Sequence, residues 1–248
     1  MDSVNTMGAR SVAAARTTTF YRPFYFLMST LIAGLVIYGF SLTIGRNLIH
    51  PTVPRPRILF VHAATFFAWV VLFVGQTALI QTKHVRWHRR LGLAGLVLGV
   101  AIPLVGIATA LAMARFNVLH GVHGAEHAAA FLIIPINDMV AFGVAFALAI
   151  WWRKKPEFHR RLMLVATCCL TAAAFARFPF ITIPEIRWYG GVDVLILLGV
   201  LHDLVVLRKV HAVYCYAVPL IVLGQVATMS FFLRHTPQWM LIAHWLIG

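Results

Sequence analysis

Apolar stretches of about 20 residues, long enough for a helix to cross the hydrocarbon core of a bilayer, follow one another along the whole chain. Short basic or turn-forming runs close each one. Seven spans are expected, at roughly 22–45, 59–81, 88–113, 127–152, 159–178, 190–207 and 212–233. A short amphipathic segment over 237–247 follows and is expected to lie at the interface. Apolar and polar positions do not alternate strictly, which excludes a barrel and leaves helices, the other architecture that satisfies its backbone in lipid. The expected fold is an all-α polytopic membrane protein. A single transmembrane domain over 22–233 lies between a polar tail at 1–21 and a second tail at 234–248.

Composition agrees with this reading. The chain of 248 residues is 61% hydrophobic and 11% charged, with mean hydropathy +0.85, where a soluble domain carries about 25% charged residues. The first apolar stretch begins too far from residue 1 for a secretory signal, so 1–21 is expected to be a retained cytoplasmic tail. With that tail inside, fourteen of the 21 Lys and Arg residues fall on the inner side, a positive-inside bias that also places the C-terminus outside. The net charge of +14 then reflects topology and contact with anionic lipid. Basic residues confined to short loops argue against nucleic acid as a partner.

The chain also repeats itself. His62-Ala-Ala-Thr-Phe opens one span and His127-Ala-Ala-Ala-Phe another; Trp87-His88-Arg89-Arg90-Leu91 and Phe158-His159-Arg160-Arg161-Leu162 open the spans that follow them. One helical hairpin has been used twice, over about 59–113 and 124–178, which predicts a central four-helix bundle with pseudo-twofold symmetry. In such a bundle His62 faces His127 at the outer side and His88 faces His159 at the inner side. Paired neutral imidazoles bind haem iron from its two faces. Arg89, Arg90, Arg160 and Arg161, next to the inner histidines, would then meet haem propionates, and Arg177 an outer one. The other reading of the His-Arg-Arg motif is a basic anchor that snorkels to lipid headgroups.

The order His62, His88, His127 and His159 on consecutive spans resembles cytochrome b561-type proteins, which hold two haems between four histidines on four consecutive spans. That resemblance covers roughly 59–178 and implies one or two b-type haems and transmembrane electron transfer. The His-Arg-Arg-Leu motifs also resemble a bacterial family of uncharacterised multi-span membrane proteins. That likeness implies a bacterial inner membrane and supplies no activity.

Two further groups bear chemistry. His120, His123, Glu126 and His127, with His62, form an outer-face set suited to a transition metal ion bound through imidazole and carboxylate. Asn137-Asp138, just after Pro135, is the deepest polar pair and reads as a proton or quinone contact, or as a structural contact to backbone freed by the proline. His202-Asp203 reads as a helix-end cluster with Asp203 paired to Arg208. Gly95 and Gly99 form a close-packing GxxxG, and Pro103 and Pro135 are expected to kink their helices. Trp151, Trp152 and Tyr189 are expected to form an aromatic belt, and Cys168, Cys169 and Cys215 to be buried packing residues.

Three functional classes follow. The first is a haem-bearing transmembrane oxidoreductase working with a quinone or redox partner. The second is a non-haem metal-binding membrane protein. The third is a cofactor-free accessory subunit of a larger membrane complex. A transporter has less behind it, since only the Pro135-Asn137-Asp138 stretch resembles a broken-helix ion site.

Overall fold

The computed structural model describes the backbone of residues 2–181 and 183–248, and the side chains from residue 23 onward except 182 and 184–188. Among these residues every regular element is helical: α1 (Asp2–Ile44), α2 (Arg57–Gln81), α3 (Val85–Leu119), α4 (Ala125–Phe131), α5 (Ile133–Trp151), α6 (Pro156–Cys169), α7 (Ala172–Phe175), α8 (Pro184–Leu207), α9 (Ala212–Arg234) and α10 (Pro237–Ile247). A π-helical turn, Gly45–Ile49, ends the first span. Seven segments are long and apolar enough to cross a membrane, at 23–49, 57–81, 85–119, 125–151, 156–175, 189–207 and 212–234. The chain is an integral membrane protein. Of the charge argument, Arg10, Arg16 and Arg22, expected inside, and Arg187, expected outside, carry side chains outside the described residues.

Both predicted hairpins are present. Helix α2 packs along α3, α5 packs along α6, and α3 against α5 joins the pair. The centre is nevertheless lopsided. The 156–175 span has 67% of its apolar window buried, against 33% or less in each other span. It is enclosed because α1, α8 and α9 also pack on α6. The first hairpin is held from the other side by α1, through Ser29 Oγ and Thr77 Oγ1 at 2.6 Å.

Two spans are broken along their length. Helix α4 stops at Phe131 and α5 starts at Ile133. Pro135 causes this break: it has no N–H for the Phe131 carbonyl four residues back, and its ring crowds that carbonyl. The partner span breaks between Cys169 and Ala172 without a proline. There the Leu170 and Thr171 amides donate three residues back, to Thr167 and Cys168, and the Thr171 hydroxyl also donates to the Cys168 carbonyl at 2.6 Å. A threonine that bonds its own backbone competes with the helical ladder. Pro103, by contrast, leaves α3 continuous.

Helix α10, the segment expected at the interface, docks on α3 and α4. Trp239 Nε1 donates to the Ala129 carbonyl (3.1 Å) beside the α4 break. Arg115 donates from Nε to the Ile247 carbonyl (2.8 Å) and from Nη2 to the Leu246 carbonyl (2.9 Å), capping the far end of α10.

Candidate functional site

The two breaks flank one buried polar site. Asp138 is at the middle of the 125–151 span and borders a small void with Asn137, Cys169, Tyr189 and Gln225. Tyr189 lies on α8, and its hydroxyl hydrogen-bonds Asp138, Asn137 and Thr228; the Asn137 Nδ2 to hydroxyl distance is 3.3 Å. Gln225 on α9 donates from Nε2 to Asp193 Oδ1 on α8 at 2.9 Å. Gly224 lets α9 come close, since a Cβ there would be 3.1 Å from Asn137 Oδ1. The void measures about 10 Å³, at the threshold for a single water. It has no room for a quinone ring.

The charge pattern is unusual for such a depth. Two carboxylates, Asp138 and Asp193, face neutral donors from Asn137, Tyr189 and Gln225. Among the described residues no Lys, Arg or His makes an ion pair or hydrogen bond with either one. A carboxylate shielded from water is costly unless its charge is balanced.

Sequence reading found Asn137 and Asp138 but missed the rest. Tyr189 was expected in an aromatic belt and is instead buried, 4% exposed, with its hydroxyl in the network. Asp193 passed unremarked, although a single carboxylate inside the apolar run Gly191–Val200 was itself a signal.

A second polar cluster lies at the membrane face where the α1 span begins. It gathers Tyr25 from the start of that span, Arg161 from the start of α6, Asp203 from the end of α8 and Tyr214 from the start of α9, as alternating antiparallel spans require. Arg161 is fully buried and grips Asp203, also fully buried, through Nε to Oδ2 (2.8 Å) and Nη2 to Oδ1 (2.6 Å). Its Nη1 donates to the Glu157 carbonyl and to Oε2, both at 2.8 Å. The expected Asp203–Arg208 pairing is therefore replaced by Asp203–Arg161. Arg208 ends α8 in a left-handed conformation. Phe24 stacks on His202 at 3.8 Å, and His202 Nδ1 lies 3.8 Å from Asp203. His211, in the loop before α9, accepts the Val213 amide at Nδ1 (3.2 Å). Burial holds its imidazole below the usual histidine value, and the Arg161 charge adds to that.

The repeated histidines have diverged. At the inner pair, His88 and His159 lie within electrostatic reach of each other. His159 Nδ1 is 2.9 Å from the Ala149 carbonyl, a bond that places the proton on Nδ1 and leaves Nε2 as an acceptor. The arginines differ between copies. Arg89 and Arg90 are exposed, with Arg90 over the Trp87 ring (5.1 Å), as lipid anchors would be. Arg160 pairs with Glu157, and Arg161 is committed to Asp203.

At the other face His62 and His127 keep different neighbours. His62 lies on the Phe66 ring (4.0 Å), its Nδ1 buried without a hydrogen bond, and Arg177 is the charge within its reach. Arg177 donates to Thr43 Oγ1 (2.9 Å) and to the Ala173 carbonyl. His127 instead meets His123 (5.0 Å) and Phe232 (5.9 Å). Among the described residues no ring contact, hydrogen bond or ion pair links His62 to His127.

The five residues of the outer-face metal set are likewise not gathered. His120 turns back to the Phe116 carbonyl (2.9 Å), and Glu126 is 3.5 Å from His244. Among the described residues no three His, Cys, Asp or Glu side chains converge on one point. Cys168 and Cys169 are buried as expected, whereas Cys215 is exposed on the outside of the bundle. No protein-family model, curated protein or solved structure matches this chain.

Proposed function

We propose that the chain is a proton-translocating membrane protein that works at Asp138. The observation that carries this reading is Asp138 on a water-sized void bordered by Asn137, Tyr189 and Gln225, the last of which also holds a second intramembrane carboxylate, Asp193. A proton can be exchanged there through a single water. The breaks at Leu132 and at Leu170–Thr171 support the same conclusion, because discontinuous spans mark the binding sites of many transporters. In this reading Asp138 takes the proton, Tyr189 relays its hydrogen bond between Asp138 and Asn137, and Asp193 with Gln225 forms the next station. The test is proton flux into liposomes holding the purified protein and a pH-sensitive dye, driven by a potassium-diffusion potential. Asp138→Asn should abolish the flux and Asp193→Asn reduce it severalfold. Equal flux through wild type and Asp138→Asn would sink the idea, while a flux that follows sodium would reassign the ion.

A second reading is favoured by one observation, the His88–His159 approach with Nε2 of His159 left as an acceptor. A single b-type haem would then be held at that face, and the protein would move electrons as well as protons. When bound, the haem supplies one-electron chemistry. The chain's part is to orient His159 through the Ala149 carbonyl. Protein purified from haem-replete cells would show a Soret band that His88→Ala and His159→Ala lose and His62→Ala and His127→Ala keep. A colourless preparation removes this reading and leaves the proton site untouched.

A further inference from the structure

Helices α3 and α5 meet along only part of their length. Where they diverge, toward the membrane face at which α5 ends, an open groove of about 470 Å³ faces the lipid. Gly99 and Phe146 form its floor, Val100 and Leu104 line one wall, and Trp151 and Arg153 stand at its mouth. Over the ten residues from Gly143 to Arg153 a helix advances about 15 Å, half the thickness of a hydrocarbon core. The groove therefore matches one leaflet.

Its chemistry is divided. The interior is almost wholly apolar, and the mouth carries charge: Arg153 is followed by Lys154 and Lys155, all three exposed. Lys155 leans over the Phe158 ring at 5.8 Å. Among the described residues no carboxylate pairs with Arg153. The nearest acidic residue in sequence, Glu157, is already held by Arg160 and Arg161. Trp151, 81% exposed beside the mouth, fits the headgroup level where indole rings collect.

We propose that this groove is a lipid site that holds one acyl chain of an anionic phospholipid, with the phosphate gripped by Arg153 and Lys154. Lipid tails are as apolar as the groove, so the chain alone gains little by leaving the bilayer. Selectivity comes from the cations, which attract an anionic headgroup by about 1 kcal/mol each. The proposal does not depend on the proton site, whose lining residues on α5, α6, α8 and α9 are not shared with the groove.

The glycine at position 143 provides a clean test, because a Cβ there meets nothing within 4 Å. Gly143→Leu places its side chain into the groove from a Cβ that meets no neighbour and replaces a weak helix former with a good one. Full-length protein is titrated in detergent with phosphatidylglycerol or phosphatidylcholine, and bound lipid is counted by native mass spectrometry. Wild type should retain one phosphatidylglycerol at least fivefold more tightly than phosphatidylcholine. Gly143→Leu should lose that molecule, and the surface double variant Arg153→Gln, Lys154→Gln should bind both lipids alike. The proposal is overturned if wild type does not distinguish the two lipids. It is equally overturned if both variants keep the preference, or if Gly143→Leu changes only a monomer–dimer balance, which would assign the groove to a second copy of the chain.

Discussion

Arg161 on α6 and Asp203 on α8 meet in a two-bond fork, at 2.8 and 2.6 Å, with both side chains wholly buried. The second copy of the His-Arg-Arg motif thus fastens the enclosed span to its neighbour. Planar guanidinium matches carboxylate in this geometry, which lysine does not reproduce. Breaking a buried pair strands one charge and costs about 3–5 kcal/mol, whereas replacing both partners with apolar groups of similar volume is often neutral. Arg161→Gln and Asp203→Asn should each lower the thermal unfolding midpoint sharply in detergent. The double variant Arg161→Met, Asp203→Leu should recover most of the loss. If the singles unfold like wild type, the fork is not what holds α6.

The first copy of that motif shows why the sequence was only partly legible. Hydropathy alone located all seven spans to within a few residues, because span length and polarity are local properties. Repetition located the two hairpins for the same reason. Partnership is not local. Arg90 and Arg161 occupy equivalent places in His-Arg-Arg-Leu, yet one is exposed on Trp87 and the other is buried on Asp203, 42 residues along the chain. Nothing in the motif distinguishes them; the distinction comes from α8, which covers the second hairpin. The Asp138 site follows the same logic. Its depth could be read from the chain, whereas Tyr189 and Gln225 became its neighbours only through packing of α8 and α9. His62 and His127 were paired by symmetry, yet their ring neighbours differ, Phe66 for the first and His123 and Phe232 for the second.

Close packing between the hairpins rests on Gly99. A Cβ at that position would overlap the Phe146 ring of α5, and one at Gly106 would overlap Met139. Gly95 faces Leu72 of α2 instead, with a Cβ distance of 3.3 Å, so the GxxxG glycines serve two different neighbours. Overpacking of this kind costs typically about 1–3 kcal/mol. Gly99→Val should therefore destabilise the protein by that order, read from unfolding in detergent. Phe146→Ala in the same chain should restore part of the loss by vacating the space. A double variant no better than Gly99→Val alone would show that the helices are held apart elsewhere.

Acid should weaken the start of α9. His211 Nδ1 accepts the Val213 amide, and only the neutral ring can do so. Glu157, Arg160, Arg161 and Asp203 surround it, and burial is the largest of the effects that lower its pKa in the folded protein. Because the folded value is depressed, this contribution is complete above the unfolded value of about 6.5 and is lost as pH falls below it. Wild type should lose thermal stability between pH 7 and pH 5. His211→Gln, whose side-chain oxygen can still accept, should lose less over the same interval. Parallel pH profiles would remove His211 as the source.

Helix α9 also sets the geometry of the Asp138 site, through Gly224. A methyl group there would be 3.1 Å from Asn137 Oδ1, close enough that the amide must move by a few tenths of an ångström. Asn137 in turn donates to Tyr189, the residue that bridges it to Asp138. Gly224→Ala should consequently change function more than stability, since alanine is the better helix former and the disturbance falls on one hydrogen bond. Proton flux in liposomes is expected to fall severalfold while the unfolding midpoint holds or rises. Gly224→Leu, which cannot be accommodated by a small shift, should reduce both. Unchanged flux in Gly224→Ala would mean that the Asn137–Tyr189 bond has no part in moving the proton, and the relay would have to be redrawn around Asp193 and Gln225.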